Sequence, residues 1–137
     1  MPVKSYKVGP GELTFGSAGD LKDFTAQVTS CTVEWSEDVE DDEPTLDGGA
    51  LEGEPTYTAV LTGTFVQDIG ADGVVDWSWD NKGKRFPFSY TPNNDADAAF
   101  SGVVRVAPLN AGGDVKTKPK SDFEWACIGE PVLTHGL

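Results

Sequence analysis

The chain has 137 residues with 23 acidic and 10 basic side chains, which gives a net charge of −13. A hydrophobic share of 38% and four tryptophans are typical of a folded protein, and the length fits one domain spanning residues 1–137. The negative charge argues against nucleic-acid binding by phosphate neutralisation. The N-terminal MPVKSYKVGPG has no apolar run after its lysines, and no stretch approaches the roughly 20 apolar residues of a membrane helix. We therefore expect a soluble intracellular protein.

Alternating apolar and polar residues predict the first strands. Leu13–Phe15 is short, and Leu21–Trp35 is long. Within the second, the apolar phase shifts by one residue after Ser30, which indicates a β-bulge and therefore one long, bent strand. Thr56–Val66 alternates throughout, with threonine and valine on one face.

The middle of the chain changes period. Asp72–Lys82 predicts one short helix, with Asp72 as the N-cap type residue at its start, Gly83 after it, and Val75 and Trp79 on one face. Arg85–Thr91 returns to strand alternation, and Pro87 predicts an edge position or an outward-facing nitrogen.

Two further strands follow. One contains Phe100 to Val106, and the last ends before Gly129. The sum predicts a mainly β fold, a β-sandwich or partly closed barrel with one short flanking α-helix and a long loop between the second and third strands.

Catalytic chemistry finds little support. His135, the single histidine, lies near the C-terminus, where we expect a frayed tail that could not position a base. No nucleophile, zinc or phosphate-binding motif occurs, so we predict no enzyme, no catalytic residue, no cofactor and no bound metal. Cys31 and Cys127 are interpreted as core thiols, since their spacing suits no metal site.

The most unusual segment, Ser36–Glu54, reads SEDVEDDEPTLDGGALEGE and has no basic residue. Neither Asp38 nor Asp68 begins a run with the EF-hand spacing, because the required glycine and glutamate are not both in place. A looser calcium site, a solvated loop and an assembly device remain as alternatives. Its nine carboxylates are Glu37, Asp38, Glu40, Asp41, Asp42, Glu43, Asp47, Glu52 and Glu54.

Fixing nineteen backbones costs on the order of 20–40 kcal/mol, and the segment has only four apolar side chains to offset it. We therefore expect it to be mobile alone and to order against a partner that supplies cations. Two basic clusters of the same chain would complement it in head-to-tail self-association, whereas a solvated loop explains its composition equally well. These clusters contain Lys82, Lys84, Arg85, Lys116, Lys118 and Lys120.

The order of motifs resembles a known family. GELTFGS is followed by LKDFTAQVTSCTVEWS, then by the polar segment with TLDGGALEGE, TYTAVLTGTFVQD, DGVVDWSWDNKGKRFPFSYTPN, SGVVRVAPLNAGGDV and FEWACIGEPVL. In this arrangement the chain resembles the major tail proteins, or tail tube proteins, of long-tailed bacteriophages, in the form common among phages of actinobacteria. The resemblance covers nearly the whole chain.

This resemblance implies a structural virion protein. Six copies would close into a ring, and stacked rings would form a hollow tail tube through which genomic DNA passes as a transient passenger during ejection. It implies that Ser36–Glu54 reaches the neighbouring ring and that the helix packs outside. The implied location is the virion tail, assembled in the host cytoplasm, with tape measure, tail terminator and tail chaperone proteins as further partners and no membrane. By order of elements, the implied lumen-facing residues are Gln27, Thr29, Glu34, Thr58, Thr62 and Thr64.

Two rival functions remain as alternatives. One is a β-sandwich binding module that does not assemble and uses the acidic loop for calcium or carbohydrate. The other is a small hydrolase with paired carboxylates, for which tryptophans would have to line a groove.

Overall fold

A computed structural model describes residues 5–16 and 21–135. In this part of the chain nine strands and one α-helix follow one another, with a 3₁₀ turn at Thr25–Gln27. The strands are β1 Glu12–Phe15, β2 Lys22–Asp23, β3 Val28–Val39, β4 Glu43–Pro44, β5 Ala50–Leu51, β6 Pro55–Val66, β7 Arg85–Thr91, β8 Ala98–Arg105 and β9 Lys120–His135. The helix, α1, is Val74–Asp80.

Seven strands form one antiparallel sheet in the order β2-β1-β7-β8-β9-β6-β3, and β4 and β5 form a separate hairpin. The long strand β9 belongs to both halves of the sheet. Its first half pairs with β6, from Lys120 opposite Val66 to Ala126 opposite Val60. Its second half, from Cys127, pairs with β8. A strand that changes partners in this way lets a sheet turn a corner.

The sheet is folded over so that its two ends face each other. The Tyr90 hydroxyl on β7 donates to the Cys31 carbonyl on β3 at 2.9 Å, although four positions separate these strands in the sheet. Phe15 of β1 packs edge-on against Trp125 of β9, with ring centroids 5.3 Å apart. The predicted mainly β fold with one short helix is confirmed, as an open folded sheet rather than a closed barrel.

The helix α1 covers the core on one side. Val74, Val75 and Trp77 are buried, and the Trp77 ring lies 5.5 Å from Phe15 and 5.0 Å from Phe86. Trp79, predicted on the same face as Val75, is instead half exposed.

Three predictions need correction. Leu21–Trp35 is not one strand, because the 3₁₀ turn Thr25–Gln27 interrupts it, although a bulge is present between Val28 and Ser30. Here Phe24 is buried by its turn position and not by strand alternation. Strand β9 continues through Gly129 and Pro131 to His135, with a register shift against β8, so the C-terminal stretch up to His135 is paired.

Strand β7 lies between β1 and β8, so of the two alternatives predicted for Pro87 the edge position does not apply. The Pro87 carbonyl accepts from the Gly16 nitrogen, which lies just beyond Phe15, the last paired residue of β1. In a β-strand the nitrogen and the carbonyl of one residue point to the same neighbouring strand, so the Pro87 nitrogen also faces β1. The paired residues of β1 have ended there, and the missing N–H of Pro87 therefore removes no hydrogen bond between the paired residues of β1 and β7.

The third correction concerns the long loop. Ser36–Val39 belongs to β3, and the remainder contains the β4–β5 hairpin. Backbone pairing to β6 needs no apolar side chain, so β3 continues into a segment whose composition predicted a loop. The expected mobility of this segment stays a prediction.

Candidate assembly surfaces

Residues 35–59 form a projecting ribbon, called the arm below. Strand β9 leaves β6 at Val60, so beyond this point β3 and β6 pair only with each other, from Trp35 opposite Ala59 to Val39 opposite Pro55. Nearly all arm side chains are exposed, including all nine carboxylates predicted from the sequence.

The tip of the arm is a turn held by local hydrogen bonds. The Thr45 nitrogen donates to the Gly49 carbonyl at 3.0 Å, and the Gly49 nitrogen donates to Asp47 Oδ1 at 2.9 Å. The Thr45 hydroxyl donates to the same carboxylate oxygen at 2.5 Å. These bonds stabilise the ionised carboxylate, and they lower the pKa of Asp47, with Thr45 as the largest cause. The turn is therefore best formed when Asp47 is charged.

The base of the tip is closely packed. The Gly53 nitrogen donates to Asp42 Oδ1 at 2.8 Å, and the Glu40 nitrogen donates to the Glu54 carbonyl at 3.3 Å. A Cβ placed on Gly53 would lie 1.6 Å from the Glu40 carbonyl oxygen, so only glycine fits this position.

The arm also has exposed apolar side chains. Trp35, Val39 and Tyr57 lie on the face that continues the core face of the sheet, and each is about half exposed. Leu46 at the tip is fully exposed, at 106% of its reference accessibility. Such a concentration of apolar surface on a highly charged ribbon is typical of an interaction surface.

Both predicted basic clusters border the connection between β8 and β9, residues 106–119. The Gly83 nitrogen donates to the Val106 carbonyl and the Val106 nitrogen donates to the Lys84 carbonyl, at 2.7 and 2.9 Å. At the other end of the connection, Lys120 lies opposite Val66, the last residue of β6. All six predicted basic side chains are exposed. We call this region the basic end.

The arm and the basic end lie at opposite ends of β6. The arm leaves the sheet next to Val60 and extends away from the basic end, which joins β6 at Val66; from Pro55 within the arm to Val66, the 12 residues of β6 span roughly 36 Å. The carboxylates of the arm are thus too far from the basic end of the same subunit to neutralise it, and both surfaces remain available to other molecules.

A third surface is the outer face of β3, β6 and β9. Residues directly opposite in a ladder share a face, so the register places four of the six predicted lumen residues together: Glu34, Thr58, Thr62 and Thr64. Thr29 lies in the adjoining bulge, where its hydroxyl donates to the Thr64 carbonyl at 3.4 Å. Gln27 lies in the 3₁₀ turn, outside this face.

Sequence reasoning missed two carboxylates of this face, Asp122 and Glu124, which lie opposite Thr64 and Thr62. Their alternation with Phe123 and Trp125 was visible, but the pairing of β9 with β6 was not. The Thr64 hydroxyl donates to Asp122 at 2.7 Å, and the Thr62 hydroxyl to the Phe123 carbonyl at 2.9 Å. The face therefore presents carboxylates beside threonine side chains, and the hydroxyls of Thr62 and Thr64 donate within the sheet.

The described residues give no positive sign of metal or membrane chemistry. Within residues 5–16 and 21–135, no three His, Cys, Asp or Glu side chains are grouped so as to hold a metal ion. Across the same residues no helix has the length and apolar character needed to cross a membrane. Cys31 is buried, as predicted for a core thiol, and Cys127 is only partly buried against the core; burial raises the pKa of the Cys31 thiol to about 12 and also raises that of Cys127.

Comparison with known proteins identifies the fold. No protein-family model matches the sequence, and no curated protein does. Among solved structures, a chain from the virion of a native gene transfer agent particle is similar, with a TM-score of 0.57 and 14% identity over 89% of this chain and 95% of that chain. A chain from the tail of an empty gene transfer agent particle, obtained by helical refinement with C6 symmetry, has a TM-score of 0.59 and 13% identity over 90% and 95% of the two chains. At this identity the likeness shows a shared fold.

Proposed function

We propose that this protein is a structural subunit of a phage-type virion tail. Copies would close into six-membered rings, and the rings would stack into a hollow tube through which genomic DNA passes during ejection. The observation that carries the proposal is the likeness in fold over about nine-tenths of this chain to a chain of a particle tail. The C6 symmetry of that tail supports six copies to a ring. The motif order that resembles actinobacteriophage tail tube proteins supports the same function independently.

The arm would form the contact between rings. Its nine carboxylates are all exposed, and the basic end lies at the far end of β6. A contact between two different surfaces of identical subunits is heterologous and propagates along an axis unless it closes. Electrostatic complementarity of this kind favours correct register and fast association.

The outer face of β3, β6 and β9 would line the lumen. Glu34, Asp122 and Glu124 lie on it with rows of threonine, and Lys120 is at its end. Such a face repels phosphates instead of binding them. DNA would then be a transient passenger, in keeping with the net charge of −13.

The role would be non-enzymatic and need no cofactor. The subunit would assemble in the host cytoplasm and reside in the virion tail. Its main partner would be further copies of itself, together with tape measure, tail terminator and tail chaperone proteins.

Electron microscopy of concentrated purified protein tests the proposal. We expect hexameric rings or hollow fibres of uniform width. A globular monomer at high concentration in every salt condition would refute self-assembly into a tube.

Gly53→Ala is a sharper test of the arm. The added Cβ forces the backbone away from Glu40 and distorts the base of the tip, 1.6 Å being far inside contact distance. Because Gly53 lies outside the core, the monomer should melt as the wild type does, while tube formation falls. Gly70→Ala is the matched control, since its Cβ meets only the Asp68 carboxylate at 3.2 Å, outside the arm. Full tube yield from Gly53→Ala would exclude the arm from the contact between rings.

A further inference from the structure

We infer that Leu46 at the tip of the arm seats in a cleft between α1 and the β8–β9 connection of a second copy of this chain. The inference rests on the proposed function, because it names the partner surface of the arm. Six residues line this cleft, which has a volume of about 390 Å³: Trp79, Lys82, Pro108, Leu109, Asn110 and Ala111.

Leu46 is presented as an anchor. It is fully exposed, and it sits between Thr45 and Asp47 in the turn whose backbone and side-chain hydrogen bonds were described above. A side chain held on a preformed turn loses little conformational entropy on binding. Leu46 buries no surface within its own subunit, so its whole side chain is available for a contact with another molecule.

The cleft is also preformed. Trp79 Nε1 donates to the Leu109 carbonyl at 2.6 Å, and the Leu109 nitrogen donates to Ser78 Oγ at 3.1 Å. These two bonds hold the connection against α1. Trp79 nevertheless remains 52% exposed, although its neighbours Trp77 and Ser78 are buried. Its outer surface is available to an apolar side chain.

Within one subunit Leu46 cannot reach this cleft. The cleft belongs to the basic end, because Gln67, directly after β6, bonds Gly112 of the same connection through its side chain at 3.1 and 2.9 Å. The arm lies at the other end of β6. A leucine on one surface and an apolar cleft at the opposite end define a heterologous contact between copies.

Charge favours this cleft over a second one. The second cleft, of about 300 Å³, lies between the N-terminal segment, β7 and β3, and its charged lining residue is Glu12. An acidic tip would be repelled there. In the cleft near Trp79 the charged lining residue is Lys82, and Asp47, which stays ionised in its turn, would arrive beside it together with Leu46.

Leu46→Gln tests the contact, with Leu51→Gln as the matched control because Leu51 is also an exposed leucine of the arm. We expect Leu46→Gln to raise the protein concentration needed for tube formation at least about tenfold. Burying a leucine is worth more than the 1.4 kcal/mol that corresponds to tenfold. Leu51→Gln should stay within about twofold of the wild type. If the wild type forms tubes and Leu46→Gln forms them in full yield, this contact is overturned and the proposed function stands. The same holds if Leu46→Gln and Leu51→Gln reduce tube formation equally. A wild type that never assembles would overturn both.

A disulfide provides a direct measurement. In the double variant Leu46→Cys with Asn110→Cys, mild oxidation of assembled protein should give a ladder of covalent oligomers on a denaturing gel. Each single variant lacks one of the two thiols of the contact and should give no ladder. An absence of the ladder in assembled double variant would place the tip elsewhere, since a disulfide requires Cβ atoms about 3.8 Å apart.

Discussion

Replacing Tyr90 by phenylalanine tests how the folded sheet is held closed. The change removes the hydroxyl that donates to the Cys31 carbonyl at 2.9 Å and so joins β7 to the end strand β3. The aromatic ring remains, with its stacking on Phe100 at 6.1 Å between centroids. The measured effect therefore reports the hydrogen bond and not the packing.

The expected loss follows from burial. Tyr90 is only 7% exposed, and leaving a buried carbonyl without this donor costs about 1–3 kcal/mol. An unfolding entropy of about 2.1 cal/mol/K per residue gives about 0.29 kcal/mol/K for a chain of this length, so the melting temperature should fall by about 3–10 °C. Urea titration of the dilute monomer should show a lower midpoint with an unchanged slope.

Tyr57→Phe is the matched control, because Tyr57 is 46% exposed on the arm. Its stability should lie within about 0.5 kcal/mol of the wild type. Equal melting temperatures for Tyr90→Phe and the wild type would refute the reasoning, and would mean that packing alone keeps the two ends of the sheet together.

Three further predictions concern assembly and pH. Reversing the charge of Lys116, Lys118 and Lys120 together should weaken tube formation, which electron microscopy and sedimentation measure. The monomer fold, measured by circular dichroism, should be unchanged. An unchanged tube yield would show that the arm docks elsewhere. Deleting residues 38–52 should block stacking while the monomer still folds, because a short connection then closes the β3–β6 ribbon, and long tubes from the deleted protein would contradict the inter-ring role. Stability should fall as the pH rises from 9 towards 12, because the unfolded Cys31 thiol, with a pKa of 9.0, gives up its proton while the folded one, with a pKa of about 12, retains it. Urea titrations at pH 8 and 10.5 should show a smaller fall in Cys31→Ala, and an equal fall would remove the thiol as a cause.

The alternation of apolar and polar residues predicted those strands in which side-chain burial determines the local structure. Arg85–Thr91 matches β7 to the residue, since Phe86, Phe88 and Tyr90 alternate with polar neighbours and pack inwards. Thr56–Val66 differs from β6 only at its first residue. In both strands one face is buried along at least part of the length, and the period of two is therefore imposed by the core.

The elements that the sequence pattern did not predict depend on tertiary contacts. The alternation of Phe24, Ala26 and Val28 predicts a strand, but the Phe24 nitrogen bonds the Leu13 carbonyl and the following residues form a 3₁₀ turn. Strand pairing could not be read from one sequence, so the joining of Asp122 and Glu124 to the threonine face was invisible. The positions of Leu46 and of the Trp79 cleft depend on a hairpin and a loop–helix contact that leave no periodic pattern.

The placement of the arm and the basic end at opposite ends of β6 has a consequence for any fibre built on their contact. Every subunit would point the same way, so the fibre has two chemically different ends: one displays free acidic tips and the other displays empty clefts beside Lys82. Within the fibre no further subunit is present to cover the surface exposed at either end. A protein that starts such a fibre must then imitate one of these surfaces, and a protein that stops it must imitate the other.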